Sequence, residues 1–261
     1  MTSLERIGDI TARGHADPDD LAFLLHALGA ATKAEQRGAA EAIGVVARAG
    51  IAVEPLLARA LADADPRRRW GAVYAWSRLG PVPPACLPIL LDALGVADGD
   101  LRWAAAAIVR ELGDRPEVHA ALRALLHAAS GVQRKMALYC LRDLGRRDGD
   151  LEREILAALD DPDPAVRLAA MSALAQLAGD RRAAARAVAR RLDDAEAGVA
   201  RAAAAALGRL GEPDTQVVDA LRRARAAGDP ALTRAAERAL AALRPLILAP
   251  DRRGSSSRHR P

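Results

Sequence analysis

Large apolar residues return along this chain with a period of 33 positions. Val46, Leu79, Leu112, Leu144, Leu177, Leu210 and Leu243 stand 33, 33, 32, 33, 33 and 33 residues apart. Three positions before each stands a second apolar residue: Ile43, Trp76, Val109, Leu141, Leu174, Leu207 and Leu240. A step of three is close to one helical turn, so each couple marks one face of a helix. Another apolar column, Leu28, Leu61, Leu94, Leu126, Leu159 and Leu192, runs ahead of the first and fails only at Arg225. The pattern predicts seven units of two short helices. No unit can bury its apolar face alone, and stacked neighbours bury it together.

The stretch LEREILAALDDPDPAVRLAAMSALAQLAG shows one unit most clearly. Ile155, Leu156 and Leu159 share a face of its first helix, and Val166, Ala170, Ala173, Leu174 and Leu177 share a face of its second. Between them Asp163 is placed to cap the second helix, with Pro164 in the first turn, where a missing N–H costs nothing. Asp65-Pro66 and Asp229-Pro230 repeat the device, while Asp98-Gly99 and Ser130-Gly131 keep the cap without the proline. Repeat one, near residues 17–50, has Thr32-Lys33 there and is the least regular unit, as a terminal cap of a stack should be. After Leu243 the pattern stops. Pro245 and Pro250 are expected to break any helix, and DRRGSSSRHRP holds too little apolar surface to order itself. The expected organisation is a lead-in at 1–16, a solenoid at 17–243 and a basic disordered tail at 244–261.

Aromatic residues make up 2% of the chain, while alanine, leucine and arginine dominate, which favours helix over strand. The net charge of +4 points toward nucleic acid until it is located. Arg244, Arg252, Arg253, Arg258 and Arg260 against Asp251 carry the excess, and residues 1–243 hold 33 basic and 33 acidic residues. A chain that grips a phosphate backbone along its whole surface should be basic in its body, so nucleic acid is expected only at the tail. The first fifteen residues have no apolar h-region, and no run approaches the length of a membrane span, so a cytoplasmic protein is expected. Two cysteines are too few for a disulfide framework or a four-cysteine metal site, and Cys140 falls on a core position. His15, His26, His119, His127 and His259 are scattered and are expected to be solvated or capping residues. No nucleophile–base pair, glycine-rich phosphate loop or ligand cluster stands out. The expectation is a protein that is not an enzyme and takes no cofactor or metal.

The strings DPDPAVRLAAMSALAQLAG, GVARAAAAALGRLG and GDLRWAAAAIVRELG resemble HEAT repeats of the short bacterial type, also found in phycobilisome lyases. The resemblance implies an all-α, right-handed solenoid with first helices on the convex side and second helices lining the concave side. It also implies an Asp–Arg ladder between adjacent repeats. Arg69, Arg102, Arg134 and Arg167 hold the matching position in repeats two to five, with Asp65, Asp98 and Asp163 four residues before three of them. Ala200 and Thr233 end the series. Among enzymes that this fold resembles, deoxyhypusine hydroxylase needs His-Glu steps, and none occurs here. The lyases match only in the generic repeat. HEAT-like DNA glycosylases would need Glu111 or Asp143 as a carboxylate, and neither lies one turn from a tryptophan on its own helix.

Aligned second helices place Trp70, Trp103, Lys135 and Arg201 in one column, and Tyr74 and Tyr139 in the column four residues on. In a generic repeat these columns carry solvent-facing charge. Phe23 and Trp76, the remaining aromatics, fall on core columns. Trp70, Tyr74, Trp103 and Tyr139 are therefore expected to form a surface cluster on repeats two to four, rimmed by Arg78, Arg110, Lys135 and Arg142. Aromatic anchors with a charged rim are the anatomy of an interface. The expectation is a monomeric adaptor that holds a protein or peptide in its concave groove. A glycosylase-like nucleic-acid protein and a lyase-type chaperone of a chromophore protein are the alternatives.

Overall fold

A computed structural model describes residues 1–128 and 130–248, with side chains as far as Pro245. Among the described residues there is no strand, and fifteen α-helices account for the chain. The chain divides into two compact units, residues 1–122 and the residues from 123 onward.

The first unit contains α1 (Ser3–Arg13), α2 (Pro18–Ala27), α3 (Lys33–Arg48), α4 (Glu54–Ala60), α5 (Pro66–Ser77), α6 (Leu87–Ala93) and α7 (Gly99–Leu112). Helix α8 (Pro116–Leu125) carries the unit boundary. The second unit continues with α9 (Gly131–Leu144), α10 (Gly149–Ala157), α11 (Pro164–Leu177), α12 (Arg181–Ala189), α13 (Ala197–Leu210), α14 (Thr215–Ala226) and α15 (Pro230–Leu248). Within the units these form first-and-second helix pairs at the expected register: α2 with α3, α4 with α5 and α6 with α7 in the first, and α10 with α11, α12 with α13 and α14 with α15 in the second.

The turns are built as the residues require. Thr32, Asp65, Asp98, Ser130 and Asp163 each accept a backbone N–H from the first turn of the helix that follows. The apolar columns form the core: Ile43, Val46, Val109, Leu112, Leu141, Leu174, Leu177, Leu207, Leu210 and Leu243 are buried. Alanines fill the space between second helices. Ala169, Ala170 and Ala173 on α11 and Ala203, Ala204 and Ala206 on α13 are fully or nearly fully buried, and side chains this short let adjacent helices close on one another.

Three local features depart from the expectations. Residues 1–16 include a true helix: Thr2 and Glu5 close a capping box at its start, and Ile7 and Ile10 bury themselves against α3. Asp20 on α2 holds α1 down, taking Arg6 and Arg13 at 3.0 Å each. Burial pushes the Asp20 carboxyl up, but the two guanidinium groups outweigh it and hold it below the usual carboxylate range. Second, Pro245 does not end the last helix, which carries it inside and runs on to Leu248. A proline removes one hydrogen bond and can be accommodated as a local defect where the helix is otherwise supported, here by α13 and α14. The rest of the expected tail, 249–261, lies outside the described residues. Third, His119 is buried on α8 rather than solvated. Cys86 and Cys140 are both buried free thiols, and burial pushes the Cys86 thiol up to about 11.

Asp214 is the most perturbed carboxylate. Its side chain is 2% exposed, Arg182 and Arg186 donate to it at 2.9 and 2.8 Å, and it caps α14 through the Gln216 N–H. Hydrogen bonding from Arg186 chiefly lowers its pKa to about 2. A depressed carboxylate stabilises the fold above its unfolded pKa and loses that contribution as pH falls through the folded one. Asp214→Asn keeps a competent cap and removes the charge, so it should cost about 1–3 kcal/mol at neutral pH. The gap between wild type and variant in urea unfolding should close between roughly pH 4 and pH 2. A gap that is constant over that range would show that the charge is not what matters.

Candidate interaction surface

The recess on the first unit begins with a glycine. Gly71, buried in α5, lies so close to the end of α2 that an added Cβ would collide with the carbonyl oxygen, carbonyl carbon and Cβ of Leu28. Helix α5 therefore sits tightly against α2, and this close approach sets the position of its neighbour Trp70.

Above α5 a charge bridge joins repeats one and three. Lys33, the first residue of α3, reaches the carboxylates of Asp98 and Asp100 at 2.7 and 3.1 Å. In a stack where each unit meets its neighbours, a pair that spans the intervening repeat is unusual. Hydrogen bonding from Lys33 holds Asp98 below the usual carboxylate range, and the pair raises the Lys33 pKa in turn. All three side chains are well exposed, so the pair orients the rim and adds little stability.

Trp70 and Tyr74 lie beneath this bridge. Their rings are tilted by 31° with centroids 6.3 Å apart, and both are half-buried. With Lys33, Gln36, Arg37, Asp100, Leu101 and Ala104 they line a recess of about 110 Å³. Trp70 also forms a wall of an adjoining recess of about 400 Å³, which Arg67, Arg69, Ile89, Val96 and Leu101 line with it. Trp70 is thus shared between two hollows. An aromatic floor with charged walls can hold an apolar or aromatic side chain and hydrogen-bond its flanks.

The other expected contact residues lie outside these two recesses. Trp103, on α7, has 54% of its surface exposed and lines neither recess. Arg78 ends α5 and Arg110 lies in the last turn of α7, both exposed. Tyr139, Lys135 and Arg142 belong to the second unit. There the Arg142 guanidinium stacks on the Tyr139 ring at 5.0 Å, donates to Asp143 at 2.7 Å and reaches Ser172 on α11 at 2.9 Å. Arg142 thus ties two second helices together. Asp143, a carboxylate that a glycosylase-like reading would need, is held by Arg142, whereas Glu111 is exposed.

The arginine column also needs correction. Arg134 does cross to the next repeat, through Nε and Nη2 to Asp161 at 2.7 and 2.9 Å, while its Nη1 donates to the Ala128 carbonyl. Arg167 donates Nη1 to the Asp161 carbonyl and reaches Asp194 of the next repeat at 2.8 Å. The acceptors stand two residues before the expected ones, because Asp65, Asp98 and Asp163 are occupied as helix caps. Among the described residues Arg69 and Arg102 donate only to carbonyls of their own repeats: Asp63 and Ala64 for Arg69, Val96 and Ala97 for Arg102. Arg201 reaches Asp229 at 3.7 Å, a loose and exposed pair.

Sequence reasoning missed Lys33, Gln36, Arg37, Asp100 and Leu101. Lys33 stood out only as a departure from the proline that follows the cap elsewhere. The acceptor column was legible, as Asp63, Val96, Ala128, Asp161 and Asp194 at the repeat spacing, but its role depends on which residue the next repeat brings opposite.

No group of residues able to hold a metal ion occurs among the described residues, and no described helix is long and apolar enough to cross a membrane. Residues 152–241 match a family model described as HEAT repeats. No curated protein matches the chain. Among solved structures, an engineered protein is 18% identical with a TM-score of 0.46, over 90% of this chain and 73% of its own. A designed armadillo repeat protein is 18% identical with a TM-score of 0.42, over 85% and 99%. Importin beta is 12% identical with a TM-score of 0.58, and the match covers 87% of this chain and 36% of that one. The likeness to importin beta speaks to fold alone, and with the HEAT-repeat match it places the chain in the all-α class of helical-repeat solenoids.

Proposed function

We propose that this chain is a non-catalytic adaptor that holds a peptide segment of a partner protein on its second-helix face, with Trp70 as the anchor. The observation that carries the reading is the pair of hollows sharing Trp70, the smaller of them also lined by Tyr74, Lys33, Arg37 and Asp100. Helical-repeat folds mainly supply extended binding surfaces. A half-buried tryptophan in a preformed hollow is the residue type that concentrates binding energy, because the partner completes its desolvation without ordering it. Trp103 adds an exposed aromatic on the same unit. The anchor region thus draws on repeats one to three.

The test is selection from a random peptide library displayed on phage, panned against the purified full chain. Enriched peptides should lose about 2 kcal/mol of affinity on Trp70→Ala, roughly thirtyfold in Kd by calorimetry. Trp103→Ala should cost less, because an exposed ring gives up less water on contact. Peptides that bind wild type and Trp70→Ala equally would place the interaction elsewhere.

A further inference from the structure

The arginine column records in its own chain what its members bind. In repeats four and five each arginine does two jobs. Nη1 closes the loop of its own repeat by donating to a backbone carbonyl, and the other end of the fork takes a carboxylate from the next repeat. Arg69 does only the first job: Nη1 reaches the carbonyls of Asp63 and Ala64 at 2.8 and 3.1 Å, and it makes no ion pair to a carboxylate among the described residues. The reason is a single substitution in the repeat pattern. Val96 stands where repeats five and six carry Asp161 and Asp194.

The Asp63 carboxylate feels the Arg69 charge but makes no ion pair with its fork among the described residues. Asp63 is engaged by Arg68 at 2.7 Å and by the Asp65 N–H at 2.8 Å. Asp98 is engaged by Lys33. Asp92 and Arg67, which also line the larger recess, offset one another in sign. What remains is a guanidinium held at one end by backbone carbonyls, in the wall of a hollow whose apolar lining includes Trp70, Ile89, Val96 and Leu101. A planar fork matches a carboxylate better than any other common side-chain group, and the Arg134–Asp161 pair shows the same residue type in that geometry.

We propose that Arg69 receives an aspartate or glutamate side chain of the bound peptide, which takes the place of the ladder carboxylate that Val96 leaves out. The partner segment then carries an acidic residue beside the apolar or aromatic residue that packs on Trp70. This deepens the reading of the recess as a peptide site and rests on it.

The same random peptide library separates the two. It is panned on wild type, Arg69→Gln and Val96→Asp, with melting by circular dichroism as the check on folding. Glutamine keeps a donor for the loop carbonyls, as Gln36 does for the Ala30 carbonyl in repeat one at 2.7 Å. Val96→Asp restores the arrangement of repeat four and should melt no lower than wild type. Wild type should enrich Asp or Glu at least tenfold at one position next to an apolar residue. Both variants should bring that preference below twofold and keep the apolar preference. No acidic position on wild type, a basic one, or an acidic preference that survives Arg69→Gln would overturn the proposal. If Val96→Asp fails to fold, the Arg69→Gln selection decides. Selections that enrich nothing on wild type would instead remove the peptide-site reading itself.

Discussion

Replacing Arg134 by alanine should destabilise the second unit by about 2–3 kcal/mol, somewhat below the roughly 3–5 kcal/mol for breaking a fully buried pair, since its two side chains remain 15% and 10% exposed. The substitution deletes both charge-assisted bonds to Asp161, the loop bond to the Ala128 carbonyl, and the group that holds Asp161 ionised. Burial pushes the Asp161 carboxyl up, and hydrogen bonds, Arg134's first among them, together with the charges of Arg134 and Arg167 keep it below the usual range. In a quasi-one-dimensional stack the loss falls on one junction, so unfolding in urea should broaden or split rather than shift uniformly. Arg201→Ala removes an exposed pair at 3.7 Å and should change stability by less than about 0.5 kcal/mol. If the two variants unfold alike, Arg134 does not hold the repeats together.

Gly71→Ala should be as costly for the opposite reason, since it adds a single methyl group. In a helix interior that exchange ordinarily gains about 1 kcal/mol. Here the methyl would meet the backbone of Leu28, which cannot rotate away, so α5 must shift from α2. Overpacking of this kind costs about 1–3 kcal/mol, and displacement of α5 carries Trp70 with it. A net loss of about 2 kcal/mol and weakened peptide binding are expected together. Gly8→Ala is the control: it lies inside α1 with nothing within 4 Å of the added carbon, and it should raise stability by about 0.5–1 kcal/mol. A Gly71→Ala protein as stable as wild type, with unchanged peptide binding, would show that the close approach does not position the site.

Much of this architecture was legible in the order of the residues. The 33-residue columns located the helix pairs, and Asp65, Asp98, Ser130 and Asp163 announced the second helices they cap, because a cap and its N–H donors lie within one turn of chain. The sequence also carries a local signal for a helix at residues 3–13. Thr2 and Glu5 spell a capping box, and Ile7 and Ile10 recur at helical spacing. Pro245 looks like a stop in the sequence, yet a proline acts on one hydrogen bond and the helix around it is packed on two others.

What the sequence determined by itself was therefore everything that interactions within a few residues decide: helix starts, turn chemistry, the buried faces and the neutral body of the chain. The tertiary structure alone decided which repeats meet and where the gaps lie. Asp161 rather than Asp163 receives Arg134, since the cap oxygen is already engaged and the loop two residues earlier comes opposite. Lys33 meets Asp98 and Asp100 across a whole repeat, a separation of 67 residues in the longer case. Trp70 becomes the wall of two hollows because Gly71 lets α5 close on Leu28. The physical reason is the same in each case: the offset between stacked helices is set by packing of side chains far apart in the chain, and no periodicity within one repeat encodes it.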